Sequence, residues 1–287
     1  MPPVFRFAPS PNGYLHLGHA YSALLNFELA RRSGGRLLLR IEDIDQARCR
    51  PEFEAAIEED LAWLGIAWEE PVVFQSQRMP AYRAAAERLA AMGLVYPCFA
   101  TRAEIEAASA GGPVDPDGAP LYTGLFKGLD VDEVARRQAA GEPFALRIDM
   151  GAAIAASATR LGGAPLVFTE LGEDGAAQAI KAMPERWGDA VIVRKDVATS
   201  YHLAVVVDDA WQGVTHVTRG RDLYAATGLH RLLQVLLDLP APLYHHHRLI
   251  TDDNGRKLSK SARDTSLRSL REGGCEPCDI RRMVGLS

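Results

Sequence analysis

The chain has 287 residues, 47% of them hydrophobic and 24% charged, which suits one large or two moderate folded domains and argues against long disordered tails. A formal net charge of −5 excludes the general basic excess of a protein that coats nucleic acid, and no apolar run approaches the roughly 18 residues needed to span a bilayer. The opening Met1-Pro2-Pro3-Val4-Phe5-Arg6 lacks the parts of a secretory signal, and Cys49, Cys98, Cys275 and Cys278 are too scattered for a disulfide framework, so a monomer in a reducing cytoplasm, with no membrane partner, is expected.

Val4 to Ala8 reads as a strand, Pro9-Ser10-Pro11-Asn12-Gly13 as a dense turn, and His16 to Arg32 as a helix. Arg36 to Glu42 is a second strand, Pro51 to Leu64 an amphipathic helix ending at Gly65, and Tyr82 to Met92 another helix before Gly93. This is the rhythm of βαβ units with parallel strands. From Cys98 to about Trp187 the rhythm breaks, with loops at Gly111-Gly112-Pro113 and Asp115-Pro116-Asp117-Gly118, a helix from Asp132 to Ala140 and a strand from Phe144 to Ile148. It resumes with Ala190 to Arg194, the apolar stretch Leu203 to Val207, Val214 to Thr218, a helix from Tyr224 to Leu237 and a strand run from Tyr244 to Ile250. The expected fold is α/β: a Rossmann-type nucleotide-binding domain with a parallel sheet, split by an inserted smaller α+β subdomain. Its halves are residues 1–97 and 188–240, the insertion is 98–187, and 241–287 hold a lysine-rich loop and short helices.

Two motifs carry chemistry. His16-Leu17-Gly18-His19 opens the first helix, where backbone N–H groups and the positive end of the helix dipole face a bound polyphosphate. His16 and His19 share one face of the first turn and can donate to phosphate oxygens, while Gly18 without a Cβ lets a nucleotide base approach the backbone. Lys257-Leu258-Ser259-Lys260-Ser261 gathers two ammonium groups and two hydroxyls that suit a pyrophosphate leaving group. Each motif alone is equally a surface feature; their joint presence in this order indicates ATP-driven carboxylate activation.

Arg6-Phe7-Ala8-Pro9-Ser10-Pro11-Asn12-Gly13-Tyr14-Leu15-His16-Leu17-Gly18-His19, Leu39-Arg40-Ile41-Glu42-Asp43-Ile44-Asp45, Tyr201-His202-Leu203-Ala204-Val205-Val206-Val207-Asp208-Asp209 and Gly213-Val214-Thr215-His216-Val217-Thr218-Arg219-Gly220 together resemble the catalytic core of class I glutamyl-tRNA synthetases. The resemblance implies a glutamate site at Arg6, Ala8, Ser10, Glu42, Tyr201 and Arg219, with Glu42 taking the α-ammonium and guanidinium forks taking carboxylates. It places ATP at His16, Gly18, His19 and Lys260, with Lys257 beside them and Mg2+ accompanying the nucleotide. Glutamyl-adenylate forms first, and a nucleophile on RNA then takes the glutamyl group.

With only residues 262–287 after the lysine motif, no anticodon-binding domain is expected, and the chain resembles the stand-alone glutamyl-queuosine tRNA(Asp) synthetase paralogues of that core. Asp115-Pro116-Asp117-Gly118-Ala119-Pro120-Leu121-Tyr122 and His245-His246-His247-Arg248-Leu249-Ile250 carry the same resemblance. It implies transfer to queuosine at the wobble position of tRNA(Asp). A truncated enzyme charging the 3′ end of tRNA(Glu), a small-molecule nucleotidyltransferase and a catalytically silent RNA-binding relative are the other readings. Many of these paralogues hold zinc through Cys-x-Cys and Tyr-x-x-x-Cys, where this chain has Cys98-Phe99-Ala100 and Tyr122-Thr123-Gly124-Leu125-Phe126. Ala100 and Phe126 replace two thiolates, so no zinc is expected and Phe126 packing substitutes for it. Cys275-Glu276-Pro277-Cys278 is an isolated pair with no expected role. Strand alternation turns His246 away from His245 and His247, toward ordinary core and surface roles. Arg281 and Arg282 are candidate RNA contacts.

Overall fold

In the computed structural model of the chain, residues 2–251 and 265–286 are described. Strand β1 (Val4–Phe7) pairs in parallel with β2 (Arg36–Ile41), and β2 with β3 (Glu69–Phe74). Helices α1 (Leu17–Arg32) and α2 (Pro51–Trp63) make the two crossovers, as the βαβ rhythm predicts. A second sheet has the order β7–β6–β10–β9, formed by β6 (Val167–Leu171), β7 (Ala177–Lys181), β9 (His216–Gly220) and β10 (Leu243–His247). Its β6, β10 and β9 run parallel, and β7 is antiparallel to β6. The two sheets meet at Thr215, whose hydroxyl accepts from Val4 N (2.8 Å) and whose N–H donates to Val4 O (3.0 Å). A third, antiparallel sheet joins β4 (Val95–Cys98), β5 (Ala145–Ile148) and β8 (Val191–Val193).

The apolar stretch 203–207, to which the sequence assigns no element type, lies inside helix α7 (Tyr201–Trp211), buried nearly all round. Two departures from expectation have physical causes. The hairpin β6–β7 falls within 98–187, yet it extends the sheet of the second half by pairing with β10. The strand run from Tyr244 ends at His247, short of Ile250. Strand β3 and helices α4 (Arg102–Ala108) and α6 (Met150–Arg160) fall where no element was expected: β3 contains Pro71, α4 runs into the Gly111-Gly112-Pro113 turn, and α6 is an alanine-rich helix capped by Asp149.

Of three apolar cores among the described residues, a small one lies between the two parallel sheets and two larger ones hold the helical layers. Leu203, Val206, Leu229, Leu232, Leu233 and Leu236 pack α7 against α8 (Ala226–Leu236), together with α6 and α3 (Met79–Ala91). Each such side chain stabilises by about 1.5–3 kcal/mol on burial. Phe5, Leu24, Leu39 and Ile57 form the other core, which Leu267 of α9 (Leu267–Glu272) and Ile280 of α10 (Pro277–Met283) complete. Leu267 N donates to Leu15 O at 2.7 Å and Ser266 bridges His16, so the C-terminal helices sit against the His-Leu-Gly-His turn. Arg281, a candidate RNA contact, hydrogen-bonds Glu28 on α1, while Arg282 pairs with Asp279 on its own helix.

Candidate active site

The site forms beyond the carboxyl ends of the parallel strands, where such sheets place ligands. His16 caps α1: its Nδ1 accepts from Gly18 N (3.1 Å), and its own N–H donates to His19 Nδ1 (3.2 Å). With both Nδ1 atoms acting as acceptors, the neutral rings carry their protons on Nε2, which turns the two histidines into N–H donors beside a helix N-terminus. A Cβ on Gly18 would lie 3.0 Å from the His16 ring, so any larger residue would push that imidazole by a few tenths of an ångström. Lys257 and Lys260 lie outside the described residues.

Arg6 on β1 and Arg40 on β2 converge on Asp209 at the end of α7, with Arg6 Nε 3.2 Å and Arg40 Nη1 2.8 Å from Oδ1. Burial raises the Asp209 carboxyl, but the two guanidiniums outweigh it and hold the group below its usual range. Arg40 Nη2 also reaches Glu42 Oε1 at 3.3 Å, and Glu42 N donates to Pro9 O (2.9 Å), which holds the Ala8 to Ser10 segment against the end of β2. Burial raises the Glu42 carboxyl, with Arg40 and Arg6 opposing.

Arg219 on β9 is only 5% exposed. Its guanidinium donates to His246 Nε2 (3.3 Å), Tyr201 Oη (3.3 Å), His230 Nδ1 (3.2 Å), Leu223 O (3.2 Å) and Thr227 Oγ1 (2.7 Å). Every one of these acceptors is neutral: burial holds the His230 imidazole well below its ordinary range, and Arg219 itself adds to that effect. No carboxylate contacts Arg219 among the described residues, so a buried positive charge stands without an anion. Desolvated charges of this kind are costly unless paired, so the site favours a carboxylate ligand.

Of the residues expected from sequence, the structure links Arg6 to Glu42 through Asp209 and Arg40, and pairs Arg219 with Tyr201, on which the Glu42 and Arg6 charges also act; Ala8 and Ser10 lie on the adjoining turn. Sequence reasoning gave no role to Arg40, Asp209, Thr227 or His230, although Arg40 and Asp209 stand in the resembling blocks. His246 turns away from its neighbours as alternation predicts, but it faces Arg219 and is gripped by Glu170 of β6 (Nδ1 to Oε2, 2.8 Å), so it supports the site.

Two cavities flank these groups. One, of about 610 Å³, lies on the opposite sheet face, with His245 and His247 in its wall. The other, of about 780 Å³, runs under the segment 98–122 and takes in Ser200 and His202, either side of Tyr201. Cys98 and Tyr122 line it, and burial together with the Cys98 thiol holds the Tyr122 phenol above its usual range. Tyr122 Oη accepts from Phe126 N (2.7 Å), and the Phe126 ring lies 5.9 Å from Phe99 with Arg137 over both. Cys98 and Tyr122 are two donors where a tetrahedral zinc takes about four, and Ala100 and the packed Phe126 ring offer none.

The chain matches the family model for tRNA synthetases class I (E and Q), catalytic domain, over residues 4–286. It is 49% identical over 294 residues to the glutamyl-Q tRNA(Asp) synthetase of Rhodobacter capsulatus, with 99% of this chain and 100% of that protein covered. It is 41% identical to glutamate–tRNA ligase 2 of a Methylobacterium species, spanning 100% of this chain but 60% of that protein. Among solved structures, a glutamate tRNA ligase from Elizabethkingia meningosepticum in complex with its amino acid is similar with a TM-score of 0.73 and 27% identity, covering 96% of this chain and 54% of that one.

Proposed function

Because the chain belongs to the class I tRNA synthetase family for glutamate and glutamine, in its catalytic domain, we propose that it activates L-glutamate with MgATP and esterifies it onto queuosine in tRNA(Asp). The observation that carries the glutamate half is Arg219, a buried guanidinium surrounded by neutral acceptors only, whose partner Tyr201 also feels the Glu42 and Arg6 charges. A dicarboxylate supplies the missing anion, and Glu42 supplies a carboxylate for its ammonium. In the first step a glutamate α-carboxylate oxygen attacks the α-phosphorus, the bond to the bridging oxygen breaks, and pyrophosphate leaves. His16 and His19 donate from Nε2 to phosphate oxygens, and Lys257 and Lys260 offset the charge that develops on the leaving group. Magnesium arrives with the triphosphate. A hydroxyl of the queuosine diol then attacks the acyl carbon and expels AMP. The reading includes a cytoplasmic enzyme whose insertion works without zinc; no helix among the described residues is long and apolar enough to cross a membrane.

The higher identity to the glutamyl-Q enzyme, 49% against 41%, supports the tRNA(Asp) acceptor over charging of tRNA(Glu). Incubation with ATP, labelled glutamate and tRNA(Asp) tests this. Label should enter queuosine-bearing tRNA(Asp) alone and disappear when periodate has first cleaved the diol. Label on tRNA(Glu) instead refutes the acceptor, and absence of glutamate-dependent ATP–pyrophosphate exchange refutes the activation step.

A further inference from the structure

His230 stands between the glutamate-site arginine and the second cavity, and its hydrogen bonds have a forced direction. Arg219 can only donate, so His230 Nδ1, 3.2 Å away, must present a lone pair. A neutral His230 then carries its proton on Nε2, which lies 3.1 Å from His202 Nδ1. That nitrogen must accept in turn, and the proton of His202 is left on Nε2. Both rings are kept neutral by burial and by the Arg219 charge. His202 lines the second cavity, wedged edge-on against Trp187 with ring centroids 4.8 Å apart, and its Nε2 has no partner among the described residues. The neighbouring Ser200, 6% exposed, also lines the cavity with a buried Oγ that lacks a hydrogen-bond partner among the described residues. Buried polar atoms are rarely left unpaired, so Ser200 Oγ, set beside the partly buried His202 ring in one wall, indicates a ligand that completes it.

We propose that His230 and His202 are positioning residues linking the two sites: the chain from Arg219 fixes His202 as an Nε2–H donor, and this N–H and Ser200 Oγ hold an oxygen of the acceptor nucleoside in the second cavity. The inference rests on the reading above, in which Arg219 binds glutamate and the acceptor is a modified nucleoside. Arg219 itself is held by its other acceptors, Tyr201, Thr227, His246 and Leu223 O, so the chain serves the acceptor side.

The test separates the two half-reactions. His202→Phe keeps a ring against Trp187 but removes both nitrogens, whereas His202→Gln restores the order, its amide oxygen accepting from His230 and its NH2 pointing onward. For the phenylalanine variant, KM for queuosine-bearing tRNA(Asp) should rise about tenfold, the equivalent of one buried hydrogen bond, while glutamate-dependent ATP–pyrophosphate exchange changes less than about threefold. The glutamine variant should recover to within about threefold of wild type. Equal losses in both half-reactions, or no difference between the two variants, overturn the inference while leaving the glutamate reading intact. Wild-type protein without exchange removes that reading and the inference with it.

Discussion

Asp209 shows how far residue types alone can be read. The resembling blocks contained Arg40 and Asp209, but nothing in a linear sequence says that a strand arginine and a helix-end aspartate 169 positions apart share a hydrogen bond. Their pairing needs α7 to end over β2, a tertiary fact. Arg6, Glu42, Tyr201 and Arg219 were legible because the motif blocks include them, whereas His230 was not, since an isolated histidine in an apolar helix has the pattern of a core residue. Removing the Asp209 charge leaves two buried guanidiniums with one carboxylate between them. Asp209→Asn is therefore expected to cost on the order of 3–5 kcal/mol of stability, measured by urea unfolding, and to raise KM for glutamate through the released Arg6. A loss below about 1 kcal/mol would mean that the cluster contributes little.

The elements around Cys98 hold an aromatic cluster at the positions where no zinc is expected. Helix α5 (Val131–Ala139) brings Arg137 over Phe99 and Phe126, and Glu133 and Glu142 pin that guanidinium from the other side. Protein purified without added metal should contain well under one zinc per chain by elemental analysis; a stoichiometric ion would refute that expectation. Phe126→Ala should lower stability by about 2–3 kcal/mol, less than a buried core Phe because the ring is only partly enclosed. The turn chemistry of this segment was visible in the sequence, and so were α5 and β5. The hairpin β6–β7 was not, because its pairing partner β10 lies more than sixty residues away.

For the molecule as a whole, two buried groups bend the pH dependence of folding in opposite senses. Burial, with the Arg219 charge, brings His202 down to about 4 from an ordinary 6.5, so the stability it contributes is present above pH 6.5 and fades as pH falls toward 4. Asp60 on α2 is fully buried and raised to about 6, chiefly by desolvation, with Arg271 and Arg268 opposing and Glu59 reinforcing. Its protonated form is the one the fold favours, so its contribution is complete below pH 3.8 and is lost as pH rises through 6. Asp60→Asn should therefore be more stable than wild type at pH 8, by up to roughly 3 kcal/mol, and nearly equal at pH 4 in urea titrations. Parallel curves for both proteins would show that Asp60 does not titrate across this range.

The stitch between Val4 and Thr215 also has a consequence for biosynthesis. Arg6 leaves the ribosome 203 residues before Asp209, so for most of translation a charged strand that belongs in the middle of the finished molecule has no counter-ion and no neighbour on one side. The first half can collapse around α1, but its amino-terminal strand stays open on the side that β9 later covers. Nascent chains released before residue 209 should therefore be sensitive to protease near their start, and the ability to bind an amino acid should arise in one step, late in synthesis.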